Sequence, residues 1–212
     1  MKQLITLCFL ICSLAVQAQD IKSLFVALPD SLSPLLSKVN REDFGDFLSN
    51  NMKAEVKNRF GRSSQMLKMT DDYLQLKLTS VSSAEMKLLP VNDSTQVICV
   101  VKTYRGPVID SEVKFYTTEW KELPATDFLQ YPDRETLYTV PESSEKRDSL
   151  ELLKAQADMD LYKIRLSQDK PEMYLTYTTP DFLEKEAAKS LRAFLCKDFV
   201  CYRWENGKFV QK

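Results

Sequence analysis

The sequence contains no histidine, and only 4 of its 212 residues are glycine. The absence of histidine excludes Ser-His-Asp and Cys-His catalysis, and also zinc sites that need an imidazole ligand. It removes the usual proton shuttle near neutral pH as well. The scarcity of glycine leaves no glycine-rich loop for nucleotide phosphates. Paired carboxylates are therefore the one catalytic device that the sequence permits.

An excess of charge of either sign is also missing. The 29 basic and 30 acidic residues give a net charge of −1. There is no basic block and no alternation of basic with aromatic residues, so nucleic acid is not an expected partner. There is no EF-hand loop, and we predict neither a metal site nor a cofactor.

Long apolar runs are absent except at the N-terminus. Met1 and Lys2 give a positive start, Leu4–Leu14 is apolar, and Val16–Ala18 matches the small-x-small cleavage pattern. The run is too short to span a bilayer, so a membrane anchor is disfavoured. A lipoprotein site at Cys12 is disfavoured because a small residue should precede the cysteine. Residues 1–18 are therefore predicted to be a signal peptide, and the mature chain from Gln19 to be periplasmic or secreted.

Three cysteines remain after this cleavage. Cys99 lies within an apolar strand and is expected to be a buried small hydrophobic residue. Cys196 and Cys201 are candidates for a disulfide in an oxidising compartment. A catalytic thiol is not expected, because no histidine is available to activate one.

The clearest structural signal is a hairpin in the middle of the chain. Thr95–Tyr104 is apolar on both alternating faces, which is typical of a strand covered on both sides. Arg105–Pro107 breaks this strand, and Asp110–Thr118 then alternates as a strand with one buried face. Asn206–Gly207 indicates a second hairpin, in which Glu205 would face Lys208 and Trp204 would face Phe209. Further alternating segments predict strands at 74–78, 85–88, 162–166, 173–178 and 200–204.

Helical periodicity appears mainly before residue 61. Apolar spacing predicts a helix over Ile21–Leu28, a helix start at Ser33-Pro34, and a helix capped by Asn40 that extends through Met52 to Phe60. Two later helices are predicted, one with a capping box at Asp148 and Glu151 and one from Thr179 to about Leu195. The proline-containing segment 123–144 is predicted to be a surface connection with one helical turn near 127–130.

These elements predict an α+β fold with a mostly antiparallel sheet. The N-terminal helices and one further helix would pack on one face of that sheet. Residues 19–212 are predicted to be a single domain. A duplication into halves 19–122 and 145–212, joined by a linker at 123–144, is an open alternative.

Several motifs occur in an order that resembles a known family. They are Arg41–Phe44, Asn58–Ser64, Thr70–Leu74, Asp110–Tyr116 and Trp120. Together they resemble a family of secreted Bacteroidales proteins that is defined only as a domain of unknown function. The resemblance covers nearly all of the mature chain. It implies a location in or outside a Gram-negative envelope, and it implies no activity.

A second resemblance concerns modification. Ser31, Ser94 and Ser149 each follow an aspartate, and the tripeptides resemble the O-glycosylation acceptors of the same bacterial group. The same tripeptides are also typical of turns and helix starts. Intact-mass measurement on protein from the native host tests the prediction.

Two classes of function remain open, together with a less specific third. The first is a non-enzymatic binding or accessory module that uses an aromatic sheet face formed by Tyr104, Tyr116 and Trp120 to contact an envelope protein or glycan. The second is a carboxylate-dependent hydrolase acting on glycans, which needs an acid whose pKa is raised beside an apolar wall. The pairs Asp71-Asp72 and Asp158/Asp160 are expected to be solvated. A third interpretation is an inhibitor or immunity-like protein.

Overall fold

The computed structural model describes residues 20–49 and 52–212. In that part of the chain two antiparallel sheets are accompanied by helices and short 3-10 turns. The helices are α1 Ile21–Val26, α2 Lys38–Ser49, α3 Ser144–Gln156 and α4 Lys185–Arg192. The strands are β1 Glu55–Lys57, β2 Ser63–Met69, β3 Tyr73–Lys77, β4 Ser82–Pro90, β5 Gln96–Arg105, β6 Ile109–Thr117, β7 Glu122–Leu123, β8 Tyr162–Leu166, β9 Glu172–Tyr177, β10 Val200–Glu205 and β11 Lys208–Gln211.

The first sheet is a meander in which β1 to β7 lie in chain order. Its two longest pairings are β4–β5 and the hairpin β5–β6, whose register places Val101 opposite Val113. The predicted break between these strands is confirmed, since β5 ends at Arg105 and β6 begins at Ile109. Short connections suffice because neighbouring antiparallel strands need no crossover.

The second sheet has the order β11-β10-β9-β8. Its hairpin β10–β11 turns at Asn206 and Gly207, whose φ angles are 50° and 78°. Both angles are positive, as a type I′ turn requires. The predicted pairing of Trp204 with Phe209 and of Glu205 with Lys208 is confirmed.

Two hydrophobic cores lie on opposite faces of the first sheet. Val97, Cys99 and Val101 face the second sheet and belong to the inter-sheet core. Ile98 and Val100 face the other way and belong to a core under α1 and α2. The sequence prediction that this strand is covered on both sides is therefore confirmed.

The α+β class with a mostly antiparallel sheet is confirmed. The helices, however, are divided between the two cores. α1 and α2 contribute Ile21, Phe25 and Phe44 to the core on the outer face of the first sheet. α3 and α4 contribute Leu150 and Leu191 to the inter-sheet core.

Three predicted helix starts differ from the structure. Ser33-Pro34 begins no helix. α2 begins at Lys38, where Ser37 and Asn40 exchange hydrogen bonds: the N–H of Ser37 donates to Asn40 Oδ1, and the N–H of Asn40 donates to Ser37 Oγ. α3 is capped by Ser143, which lies upstream of the predicted Asp148.

The predicted extension of the second helix to Phe60 is wrong. Residues 55–57 form β1, in which Val56 is buried between the exposed Glu55 and Lys57. That alternation has the period of a strand. Strand β2, which follows, was not predicted, because a register shift between Met66 and Lys68 interrupts its alternation.

Segment 123–144 is not the surface connection that its composition predicts. Leu129, Leu137 and Tyr138 are buried in the inter-sheet core. The backbone N–H of Phe209 donates to the carbonyl of Phe128 at 2.7 Å, which fastens the segment to β11. The single domain over 19–212 stays a prediction, and a core shared by both sheets favours it.

Candidate functional site

The three aromatic residues predicted to form an exposed platform lie in different environments. Tyr116 and Trp120 are only 3% and 8% exposed, and their rings contact each other at a centroid distance of 5.6 Å. The indole Nε1–H of Trp120 donates to the carbonyl of Leu24 at 3.0 Å. Both residues therefore join α1 to the first sheet, and the predicted aromatic face is wrong for these two. Tyr104 is 50% exposed.

Tyr104 lies at the mouth of an apolar cavity of about 230 Å³, which is open to solvent. The cavity lies between the segment 28–36 and the outer face of the first sheet. Leu28, Leu32 and Leu36 line it from the segment, and Leu76, Ala84 and Met86 line it from β3 and β4. An apolar engineered cavity of about 150 Å³ is large enough to bind benzene. The space is therefore sufficient for a branched aliphatic or aromatic group.

Arg41 holds the segment that covers this cavity. Its side chain is buried, and its guanidinium donates to the backbone carbonyls of Leu28 at 2.7 Å and Leu36 at 2.8 Å. It also donates to the Asp30 carboxylate at 3.1 Å. The planar fork of an arginine can serve several acceptors at fixed angles. The segment is thus held in an open, non-helical path, which leaves the cavity unfilled.

Exposed apolar side chains lie on or next to the elements that line the cavity. Tyr104 pairs with Ser82 across β4 and β5, and Val81, which precedes Ser82, is 55% exposed. Phe60 is 72% exposed, and its neighbour Arg59 donates its N–H to the carbonyl of Leu35. We call Phe60, Val81 and Tyr104 the apolar rim. Exposed aromatic and aliphatic groups around a concave surface are typical of a contact site.

The side chains that line this cavity suit binding rather than catalysis. Among the described residues that line the cavity, Lys102 is the one charged side chain. The polar groups are hydroxyls of Ser33, Ser82 and Ser83 together with that of Tyr104. None of these described lining residues carries a carboxyl group that could act as an acid or base toward a bound molecule.

Glu85, on the inner face of the same sheet, is the described carboxyl group that best fits an acid with a raised pKa. Burial raises the pKa of Glu85, although its hydrogen bonds and Arg165 oppose the shift. Its Oε2 accepts the backbone N–H of Leu166 at 2.7 Å, and its Oε1 accepts from Gln75 at 3.4 Å. Both oxygens are thus engaged in holding strands together. Sequence reasoning missed Glu85 because its partner Leu166 comes from the second sheet.

The acidic residues considered from sequence lie near the surface. Asp71 and Asp158 are exposed, and Asp72 forms an ion pair of 2.9 Å with the buried Lys87. Asp160 lies 3.7 Å from the guanidinium of Arg134. Among the residues that the structure describes, no cluster of three or more histidine, cysteine or acidic side chains is arranged to hold a metal ion.

The predicted disulfide is not formed. Cys99, Cys196 and Cys201 are all free thiols. Cys196 follows α4 and its thiol contacts the carbonyl of Thr136 at 3.3 Å, whereas Cys201 lies within β10 and pairs with Tyr174 of β9. Cys196 and Cys201 thus lie in different elements and contact different parts of the chain.

The three serines predicted as glycosylation acceptors are all exposed. Ser31 lies in the turn after α1, Ser94 in the turn between β4 and β5, and Ser149 within α3. Ser94 also donates its hydroxyl to Asn92 Oδ1 at 3.1 Å. Their modification stays a prediction.

Comparison with known proteins places the fold in a family. The family model described as "Protein of unknown function (DUF3256)" matches residues 13–209, and the chain belongs to this family. It is similar to a solved structure from Porphyromonas gingivalis W83, described as a domain of an uncharacterized protein. The two share 27% identity with a TM-score of 0.80 over 92% of this chain and 100% of the other. No curated protein matches the sequence.

The family expectation drawn from the motifs is thereby confirmed at the level of an uncharacterised domain family with a Bacteroidales relative. Within the described ranges 20–49 and 52–212, no helix has the length and apolarity needed to cross a bilayer.

Proposed function

We propose that this chain is an exported, non-enzymatic binding module whose apolar cavity receives an apolar side chain of a protein partner in the cell envelope. The observation that carries the proposal is the cavity of about 230 Å³, which opens beside the half-exposed Tyr104. Burying one aliphatic or aromatic side chain of a partner there is worth about 2 kcal/mol. The lining offers apolar contact and no acid–base pair, which favours binding over catalysis.

The apolar rim favours a protein as the partner. Phe60, Val81 and Tyr104 are large side chains with at least half of their surface exposed. Tyrosine is enriched among the residues that dominate protein–protein affinity. A partner with a leucine-like or aromatic anchor would fill the cavity and cover the rim together.

Export is supported by the N-terminal sequence. The charged start, the apolar run and the cleavage pattern that ends at Ala18 are typical of a secretory signal. The proposed location is the periplasm or the outside of the cell, so the partner is sought in envelope material.

The first experiment tests whether the cavity accepts an apolar group. Residues 19–212 are titrated with the neutral fluorescent probe N-phenylnaphthylamine. Ala84 lines the cavity from β4, so Ala84→Leu places three extra carbon atoms in the empty space. We expect this variant to bind the probe at least about tenfold more weakly and to lose no more than about 1–3 kcal/mol of stability. Ala155→Leu on the exposed surface of α3 is the matched control.

The second experiment tests the protein partner. The same variants, with Tyr104→Ala and its control Phe199→Ala, are used to capture proteins from an envelope extract of the native host. Phe199 is also about half exposed, at 49%, but lies beside the second sheet. A partner that is lost with Ala84→Leu and Tyr104→Ala and kept with both controls supports the proposal. Wild-type protein that binds neither probe nor partner contradicts it.

Glu85 does not support a second, catalytic function. Its pKa is raised as a general acid requires, but both of its oxygens accept hydrogen bonds, one from Leu166 of the second sheet and one from Gln75 of the neighbouring strand β3.

A further inference from the structure

A second concave surface lies on the opposite, inner face of the first sheet. The second sheet covers this face only in part: Leu67 of β2 is 46% exposed and Lys77 of β3 is exposed. The uncovered part of β2–β5 and the strand β8 enclose a groove of about 440 Å³. This volume is in the range of ligand sites in proteins, which is roughly 300–1,000 Å³.

Basic side chains surround this groove. Lys77, Arg105, Lys163 and Arg165 line it, and we call the surface they enclose the basic groove. In the part of the chain that the structure describes, none of these four cations is in an ion pair, whereas Lys87 close by is paired with Asp72. The carboxyl group that lines the groove is Glu85. In a chain with a net charge of −1, such a concentration of unpaired positive charge attracts anions.

Neutral hydrogen-bonding groups lie between the cations. Gln75, Ser80, Ser83 and Thr103 line the same groove. Amide and hydroxyl groups can donate and accept, so they suit a ligand that carries hydroxyl groups as well as anionic groups. A sugar with acidic substituents has both.

The wall formed by β8 is fixed in place by side chains of the first sheet. The N–H of Ile164 donates to Ser111 Oγ at 3.0 Å, and Ser111 Oγ lies 2.8 Å from Thr103 Oγ1. The N–H of Leu166 donates to Glu85 Oε2 at 2.7 Å. The backbone that carries Lys163 and Arg165, which alternate with these residues, is therefore fixed before a ligand arrives, and this reduces the ordering that binding requires.

Protection of a sheet edge explains only part of this arrangement. Lysine and arginine on an edge strand prevent pairing with another chain, and β8 is an edge strand of the second sheet. Lys77 and Arg105, however, lie on β3 and β5, each of which has a neighbouring strand on both sides. Edge protection does not explain why they lie around the same groove, whereas binding of an anionic ligand does.

We infer that the basic groove binds an acidic oligosaccharide, with Lys77, Arg105, Lys163 and Arg165 contacting its carboxylate, sulfate or phosphate groups. The neutral side chains between them bind its hydroxyl groups. This site lies on the other face of the sheet from the apolar cavity and does not depend on it.

The test measures binding of residues 19–212 to polygalacturonate and dextran sulfate, with neutral dextran and polyglutamate for comparison. Two double variants remove the cations from either wall: Lys163→Gln with Arg165→Gln, and Lys77→Gln with Arg105→Gln. Lys185→Gln with Lys197→Gln removes the same charge from exposed positions outside the groove. Thermal unfolding of each variant confirms that it is folded.

We expect at least one acidic polysaccharide to bind, and each groove variant to weaken that binding by about tenfold. The control variant should stay within about twofold of wild type. Either groove variant alone suffices if the other fails to fold. Equal binding of polyglutamate would overturn the assignment to a saccharide. Absence of binding, or an equal loss in the control variant, would overturn the site itself.

Discussion

The backbone N–H of Leu166 donates a hydrogen bond of 2.7 Å to the Glu85 carboxylate, which lies 81 positions earlier in the chain. The N–H groups of Tyr162 and Ile164 are bound in the same way by Asp110 Oδ1 and Ser111 Oγ. Side chains of the first sheet thus take the place of a missing neighbour strand along β8. This satisfies N–H groups that would otherwise stay open at the sheet edge.

Glu85→Gln should change how stability depends on pH. Burial raises the pKa of Glu85 in the folded chain, while the unfolded chain has the ordinary value. The stability that protonated Glu85 contributes is therefore present below the unfolded pKa and is lost as the pH rises through the higher folded pKa. Relative to the variant, wild type should become less stable between about pH 5 and about pH 7. Urea unfolding at both values measures the difference.

Glutamine keeps an oxygen that can accept the N–H of Leu166, so the comparison isolates the ionisation. Asp93→Asn is the control, because Asp93 is an exposed acidic side chain in the turn between β4 and β5. A wild-type chain that gains stability over the variant as the pH rises would contradict the prediction.

Arg41→Lys should destabilise the chain by about 2–3 kcal/mol, because a single ammonium cannot replace the buried hydrogen bonds to the carbonyls of Leu28 and Leu36. The segment over the cavity would lose its anchor, so probe binding should also fall. Denaturant unfolding and the fluorescence titration measure the two effects. Arg59→Lys changes the exposed partner of the same Asp30 and should have little effect on either. Equal effects of the two variants would show that Arg41 has no special role.

Gly207→Ala should cost about 1–2 kcal/mol, because the residue has a φ of 78° and a new Cβ would lie 3.2 Å from Val91 Cγ1. Gly61→Ala shares the positive φ of 70° but meets open space, so its cost should be about 1 kcal/mol. Gly106→Ala has only an ordinary contact of 3.7 Å with Val108 and should be neutral within about 0.5 kcal/mol. Thermal unfolding should give this order, and a reversed order would contradict the turn geometry.

Thiol reactivity should distinguish the three cysteines that the structure describes. Cys196 is exposed and should react at once with a thiol reagent in the native state. Cys201 is half-buried, and burial raises its pKa, so it should react more slowly. Cys99 is fully buried with a pKa raised well above the ordinary value, and it should react only on unfolding. Mass spectrometry of the labelled peptides gives the order, and a fast reaction of Cys99 would contradict the packing.

The hairpins could be predicted because their signals are local. Asn206-Gly207 specifies its own turn, and apolar residues on both faces of β5 indicate two covered faces without saying what covers them. Strand β2 was missed because a register shift breaks its alternation. Segment 123–144 was misjudged because its few apolar residues, such as Leu129, are buried by β11 from the far end of the chain.

The candidate sites depend still more on distant parts of the chain. Tyr116 and Trp120 carry the pattern of an aromatic sheet face, but α1 covers them through the carbonyl of Leu24, 96 positions away from Trp120. Tyr104 shares that face and stays half exposed, because the segment 28–36 passes beside it without filling the space. Periodicity gives the face on which a side chain lies, and it gives no information on which element packs there.

Strand β11, which ends at Gln211, completes the inter-sheet core. Phe209 packs against Trp204 at a centroid distance of 4.9 Å and against Phe115 at 6.3 Å. The inter-sheet core therefore stays incomplete until β11 has paired with β10, although the hairpins of the first sheet can form before that step. Closing this core brings together Phe115 and Phe209, which are far apart in the chain, and contacts of long sequence separation are slow to form.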